Sequence, residues 1–115
     1  MTLFKLLPMR MLISIGISAI FCAPTFAQDE APTFTPVQIA AGAKLFSDNC
    51  AICHGPKMVD PGGGFFDLRT FPPKQRPRFM HSVSFGKNSM PPWRSLLSQE
   101  QIGNLFAYVV AGEKK

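Results

Sequence analysis

The sequence predicts an all-α domain, about three to five short helices wrapped around one bound group that completes the core. Three observations lead there. Two stretches open with capping sequences and carry apolar residues at helical spacing. The segment between them is broken repeatedly by Gly and Pro, which argues against a long helix or strand. Beyond a hydrophobic leader only 88 of the 115 residues remain, near the lower limit at which an apolar core suffices alone. Long open sheets, barrels and two-domain enzymes are excluded on size.

The composition describes two different objects. The chain is 46% apolar, yet 18 of its 53 apolar residues fall in residues 1–27, so the remainder is only mildly hydrophobic. The leader runs from Lys5 and Arg10 through an apolar stretch, Met11 to Phe21, to a small-residue exit at Thr25-Phe26-Ala27. That layout is a secretory signal peptide, with removal expected after Ala27. An uncleaved anchor would need about 20 apolar residues, roughly twice this run. Lipidation at Cys22 is opposed by the bulky Phe21 before it. Residues 28–36 then read as a short tether, 37–112 as the domain and 113–115 as a tail. Removal of the leader leaves Cys50 and Cys53 as the cysteines and lowers the net charge from +5 to +3, since two of the twelve basic residues and none of the seven acids lie in it. A bias of that size does not argue for nucleic acid. After cleavage no stable membrane insertion is expected.

The first helix begins at Thr35-Pro36-Val37-Gln38: Thr35 is the N-cap, Pro36 takes the first helical position, and Gln38 completes a capping box. Ile39, Ala43, Phe46 and Cys50 share one face. The helix therefore delivers Cys50 toward the core.

Cys50-Ala51-Ile52-Cys53-His54 is C-x-x-C-H, the attachment signature of a c-type haem. Two thiols one helical turn apart add to the vinyl groups of the porphyrin as thioethers, and the next residue presents an imidazole to the iron. Three other readings compete. A thioredoxin-like pair wants a strand before it. Structural zinc wants a second Cys/His pair, and only His54 and His81 are at hand. A plain disulfide is the blandest outcome for an exported chain. The adjoining histidine and the leader favour haem.

Residues 55–76 contain Gly55-Pro56, Pro61-Gly62-Gly63-Gly64 and Pro72-Pro73, and read as a loop around the haem edge. Phe65, Phe66, Leu68 and Phe71 would pack onto the porphyrin and enlarge the core. Arg69 or Trp93 is a candidate donor to the haem propionates, against an exposed Arg and a core Trp. The glycine run precedes no helix or lysine of the phosphate-binding kind, so a phosphate loop is dismissed. A short helix is expected from Pro77 to Phe85, with His81 on the surface or beside a propionate. A second capping box, Ser98 to Gln101, opens the last helix, whose stripe is Ile102, Leu105, Phe106 and Val109 and whose stop is Gly112. Gly103 within it costs up to about 1 kcal/mol in helix propensity, which close backbone approach at a helix crossing would explain.

Iron held by His54 needs a sixth partner or an open position. Met58 lies four residues after His54, too near to reach the other face of a porphyrin, and Met80 sits within the short helix. Met90 follows the turn Gly86-Lys87-Asn88-Ser89 and precedes Pro91 and Pro92, which stiffen the backbone. Met90 is the leading candidate, ahead of His81 and of an open or water-bound site.

On these residues the chain resembles the small class I, single-haem cytochromes c, over nearly all of residues 37 to 111. The resemblance implies the cytochrome c-like fold, in which the first and last helices cross closely. Gly42 with Phe46, and Leu105 with Tyr108, match the pairing at that crossing. It also implies that Cys50 and Cys53 carry one covalent haem c, that His54 is the proximal ligand, and that Met90, in Met90-Pro91-Pro92-Trp93, is the distal one. Asp67-Leu68-Arg69-Thr70-Phe71-Pro72, together with Gly86 to Trp93, is similar to small periplasmic cytochromes that accept electrons from quinoprotein alcohol dehydrogenases.

The function expected from this resemblance is one-electron transport in the periplasm, from a dehydrogenase or other respiratory donor toward a terminal oxidase. The partners would be redox proteins, and the chain a monomer and not an enzyme. His/Met ligation raises the reduction potential over bis-His and leaves no position for substrate. The alternative is a haem-based small-ligand binder or peroxidase with an open distal site. Lys44, Lys57, Lys74, Arg76, Arg78, Lys87 and Arg94 flank the haem-bearing segments, and a basic rim would steer the protein to acidic docking sites. A merely solvated surface explains them equally well.

Overall fold

Four α-helices follow one another in the computed structural model, which describes residues 30–113, and no strand occurs among those residues. The expected signal segment, residues 1–27, lies outside them. The helices are α1 (Pro36–Asn49), α2 (Ala51–His54), α3 (Arg76–Phe85) and α4 (Gln99–Ala111), with short 3-10 turns at Pro56–Met58 and Leu68–Thr70.

Both capping boxes form. In α1 the Thr35 hydroxyl accepts from the Gln38 amide at 3.2 Å and the Thr35 amide donates to Gln38 Oε1 at 2.9 Å. In α4 the Gln101 amide donates to Ser98 Oγ at 3.1 Å and the Ser98 amide to Gln101 Oε1 at 2.8 Å. Each box satisfies two of the amides that a helix start leaves unpaired.

Helices α1 and α4 cross at Gly42. A Cβ there would lie 1.9 Å from the Asn104 carbonyl oxygen, so only hydrogen fits at the contact. One turn along, the Phe46 and Tyr108 rings meet at 5.3 Å. The close approach expected at Gly103 is not there: a Cβ on Gly103 would meet only the end of the Arg76 guanidinium, at 3.3 Å. Gly103 faces α3, whose nearest atoms are a long flexible side chain, whereas the backbone contact falls on Gly42.

The core is aromatic. Phe106 is fully buried and touches Phe79 at 5.3 Å, Phe34 at 5.8 Å and Phe71 at 6.3 Å between ring centroids. Phe34 belongs to the segment read as a tether and packs edge-on against α4. Ile102, Leu105, Phe106 and Val109 are all buried, as the stripe predicts. Helix α3 begins one residue before the expected Pro77 and turns Phe79 and Val83 inward. Burial of such side chains contributes about 1.5–3 kcal/mol each.

Candidate functional site

Helix α1 ends at Asn49, and Cys50 leads directly into α2. The amides of Cys53 and His54 both donate to the Cys50 carbonyl, at 3.1 and 2.9 Å, so the two cysteines and the histidine lie on one turn. All three line a cleft of about 540 Å³. Its other walls come from Phe65, Phe66, Leu68 and Phe71 of the middle loop, Phe79 and Val83 of α3, Leu105 and Val109 of α4, and the segment carrying Met90, Pro91 and Trp93. The four middle-loop residues expected to cover a porphyrin thus share one apolar wall.

Met90 reaches the cleft on a tight turn. The Lys87 and Met90 backbones exchange two hydrogen bonds, of 3.1 and 3.0 Å, with Asn88 in the left-handed conformation between them. Beyond the two prolines, the Trp93 amide donates to the Val83 carbonyl at 2.9 Å and the Arg94 amide to Ser84 at 3.3 Å. The Met90 segment therefore closes on itself at Lys87 and is tied, beyond its prolines, to the C-terminal turn of α3.

Electrostatics at the motif suit iron coordination better than redox catalysis by thiols. Burial pushes the His54 imidazole below its ordinary pKa, against a smaller opposing effect of Asp60, which favours the neutral ring that can bind a metal. His54 Nδ1 is buried with no hydrogen-bond partner, and Phe65 holds the ring at 5.8 Å. A buried nitrogen without a partner is costly in a closed core. The Cys50 thiol is pushed up to about 11, first by burial and then by the neighbouring Cys53. A catalytic thiol would be shifted down instead. Cys50 and Cys53 are not paired in a disulfide, and no group of three or more His, Cys, Asp or Glu able to hold a metal occurs among the described residues, so a zinc site lacks its ligands. The donor set, the apolar walls and the neutral imidazole fit a covalently attached haem.

Other candidates separate clearly. Met58 is buried in the core and Met80 packs at its edge, and neither lines the cleft. His81 is exposed and stacks on Phe85 at 4.9 Å, away from the cleft. Arg69 pairs with Asp67 through Nε and Nη2 contacts of 2.9 and 2.8 Å and is not one of the residues lining the cleft. Trp93 does line it. Arg78, which sequence marked only as one member of a basic rim, lies on the wall with its guanidinium 5.0 Å from the Phe71 ring centre and 5.7 Å from that of Phe66. No local signal distinguishes it from the other cations, because both rings come from a separate loop.

The sequence is similar to those of known proteins. The family described as cytochrome C oxidase, cbb3-type, subunit III matches residues 37–109. A cytochrome c6 of a Synechococcus species is 34% identical over 114 residues, covering 96% of this chain and 94% of that protein. A cytochrome c6 of a Nostoc species is 32% identical over 106 residues, 86% of this chain and 87% of the relative. A quinohemoprotein alcohol dehydrogenase of Pseudomonas putida is 32% identical over 74 residues, covering 63% of this chain but 10% of that protein. The chain belongs to the cytochrome c family. It carries one covalently bound haem c and is an electron-transfer protein rather than an enzyme, acting between redox partners. No helix among the described residues is long and apolar enough to cross a membrane.

Proposed function

We propose that this chain is a periplasmic electron carrier in which Cys50 and Cys53 hold the haem as thioethers and His54 and Met90 ligate its iron. The observation that carries the reading is that a single apolar cleft is lined by the C-x-x-C-H turn and by Met90. His54 supplies a neutral imidazole, and the doubly bonded turn at Lys87 and Met90 sets the backbone that carries the thioether. His54 and Met90 would together hold the iron and leave it no position for substrate, and the haem would supply reversible one-electron transfer. The leader, residues 1–27, would direct export and then be removed, leaving the domain of residues 37–112 with its tether and tail.

The donor we infer is a quinoprotein alcohol dehydrogenase or an equivalent respiratory dehydrogenase, and the acceptor a terminal oxidase. Support comes from the segment shared with the Pseudomonas putida enzyme and from the oxidase-subunit family that matches the domain.

Expression beside haem-attachment machinery, followed by a denaturing gel stained for haem, tests the anchor. A colourless band would end the proposal. In the oxidised protein the sulfur-to-iron charge-transfer band should be present and should vanish in Met90→Ala; its absence from the wild type would favour the open-site ligand binder instead. Reduction of the purified protein by a quinoprotein alcohol dehydrogenase and its alcohol, slowing as salt rises, tests the donor.

A further inference from the structure

The turn that carries Met90 has Asn88 and Ser89 at its two central positions, between the mutually hydrogen-bonded Lys87 and Met90. Of the two, only Asn88 has a positive φ, of 52°. A two-residue hairpin turn with that sign pattern is of type II′, whose first central position ordinarily takes Gly and has a ψ of about −120°. Asn is among the few other residues that visit positive φ. At that ψ the nitrogen of the following residue eclipses Cβ, the arrangement that a five-membered ring through Asn88 Cγ and the Ser89 nitrogen requires. The turn therefore holds the chain in the conformation of a cyclic imide before any ring has formed.

Access and freedom agree with this geometry. Both residues are exposed, and among the described residues no hydrogen bond engages the Asn88 side chain or the Ser89 amide. The other two asparagines, Asn49 and Asn104, lack the arrangement. The Asn49 side-chain amide donates to the Leu45 carbonyl at 2.9 Å, and the Cys50 amide that would have to attack it donates to Phe46 at 2.8 Å. Asn104 lies inside α4, where a helical ψ of about −42° turns the following nitrogen away from the side chain.

We propose that Asn88 is a site of spontaneous covalent modification, at which the Ser89 nitrogen closes on Asn88 Cγ and water then opens the ring to aspartate or isoaspartate beside Met90. In the first step the Ser89 nitrogen gives its proton to hydroxide and bonds to Cγ, the Cγ–Nδ2 bond breaks, and ammonia leaves with a proton taken from water. In the second, water adds to an imide carbonyl and the carbon–nitrogen bond there breaks. Attack at the side-chain carbonyl yields aspartate, and attack at the main-chain carbonyl yields isoaspartate. Nothing is oxidised or reduced, and water is the only co-reactant.

The products act differently on the turn. Aspartate keeps the backbone and adds a negative charge two residues before Met90. Isoaspartate lengthens the main chain by one methylene, so Lys87 and Met90 no longer exchange both hydrogen bonds and the thioether is released from its place. This consequence rests on the reading of Met90 above.

The test holds the haem-loaded protein in warm, mildly alkaline buffer, native and in denaturant, and follows each asparagine by peptide mass spectrometry and an isoaspartyl methyltransferase assay. Native Asn88 should pass through a species lighter by one ammonia to the acid, with isoaspartate formed, several-fold faster than Asn49 and Asn104 and faster than Asn88 in denaturant. Conversion of native Asn88 no faster than in denaturant overturns the proposal, because the turn would then contribute nothing. The sulfur-to-iron band should fade as isoaspartate accumulates in the wild type and persist in Asn88→Gly, which suits the turn and has no side-chain amide. Equal fading in the two proteins overturns the effect on Met90. A wild type that lacks the band from the outset removes the Met90 reading alone, since the mass measurement still decides the imide.

Discussion

At the α1/α4 crossing, Gly42 lies against the Asn104 carbonyl with no room for a methyl group, and Phe46, Leu105 and Tyr108 close around it in the buried core. On the other side of the cleft, Met90 is only partly buried. Its segment packs only at the edge of the core and is held by four backbone hydrogen bonds and two prolines. The contrast teaches that the scaffold and the candidate distal ligand are stabilised by different physics. Close packing fails abruptly when volume is added, while a hydrogen-bonded turn can shift without unfolding the rest. Changes at the crossing should therefore cost stability, and changes in the turn should cost ligation first.

Gly42→Val should have the largest effect. Its side chain must displace backbone of α4, an overpacking cost of about 3 kcal/mol. The denaturation midpoint of the haem-loaded protein measures it, and an unchanged midpoint would mean that the helices part freely at the crossing. Gly86→Ala comes next. Gly86 has φ 83° and ψ 161°, a region nearly closed to other residues, and a Cβ would lie 2.7 Å from the Met90 carbonyl oxygen. Strain of about 1–3 kcal/mol is expected, concentrated in the turn, so the sulfur-to-iron band should weaken while helical circular dichroism persists. Loss of both signals in parallel would show that turn and scaffold are one unit.

Ser98→Ala removes half of a capping box and should cost about 1 kcal/mol in thermal or denaturant unfolding while leaving the sulfur-to-iron band untouched. The smallest effect concerns Asp60. Amides of Gly63 and Gly62 hold its carboxylate below the ordinary value of 3.8. A pKa lowered by folding means that the associated stabilisation is present above 3.8 and is lost as pH falls through the lower, folded value. Protection of the Gly62 and Gly63 amides, exchange measured relative to the intrinsic rate at each pH, should therefore fall on acidification in that window, and Asp60→Asn should show low protection at every pH. Identical exchange in the two proteins would place the stability of this loop elsewhere.

Much of the fold was legible because its signals are local. The capping boxes need residues three apart, the helical stripes need residues one turn apart, and C-x-x-C-H completes its chemistry within five residues. The glycines and arginines were harder. Gly42 and Gly103 look alike as helix interruptions, and only the neighbouring helices reveal that one touches backbone and the other a flexible side chain. Arg69 lies in a segment resembling related cytochromes, and only the structure shows it paired with Asp67, two residues earlier.

Sequence alone was sufficient for the helix caps and for the grouping of Cys50, Cys53 and His54 on one turn, since each depends on contacts within a turn of chain. Met90 as a companion to His54, and Arg78 as a cation on the cleft wall, depended on how distant segments pack. Met90 follows His54 by 36 residues, through a stretch whose glycines and prolines set local bends but no long-range distance. Where that stretch ends is decided by the aromatic core around Phe106 and by the anchoring of Trp93 and Arg94 on α3, interactions that exist only once the chain has closed on itself.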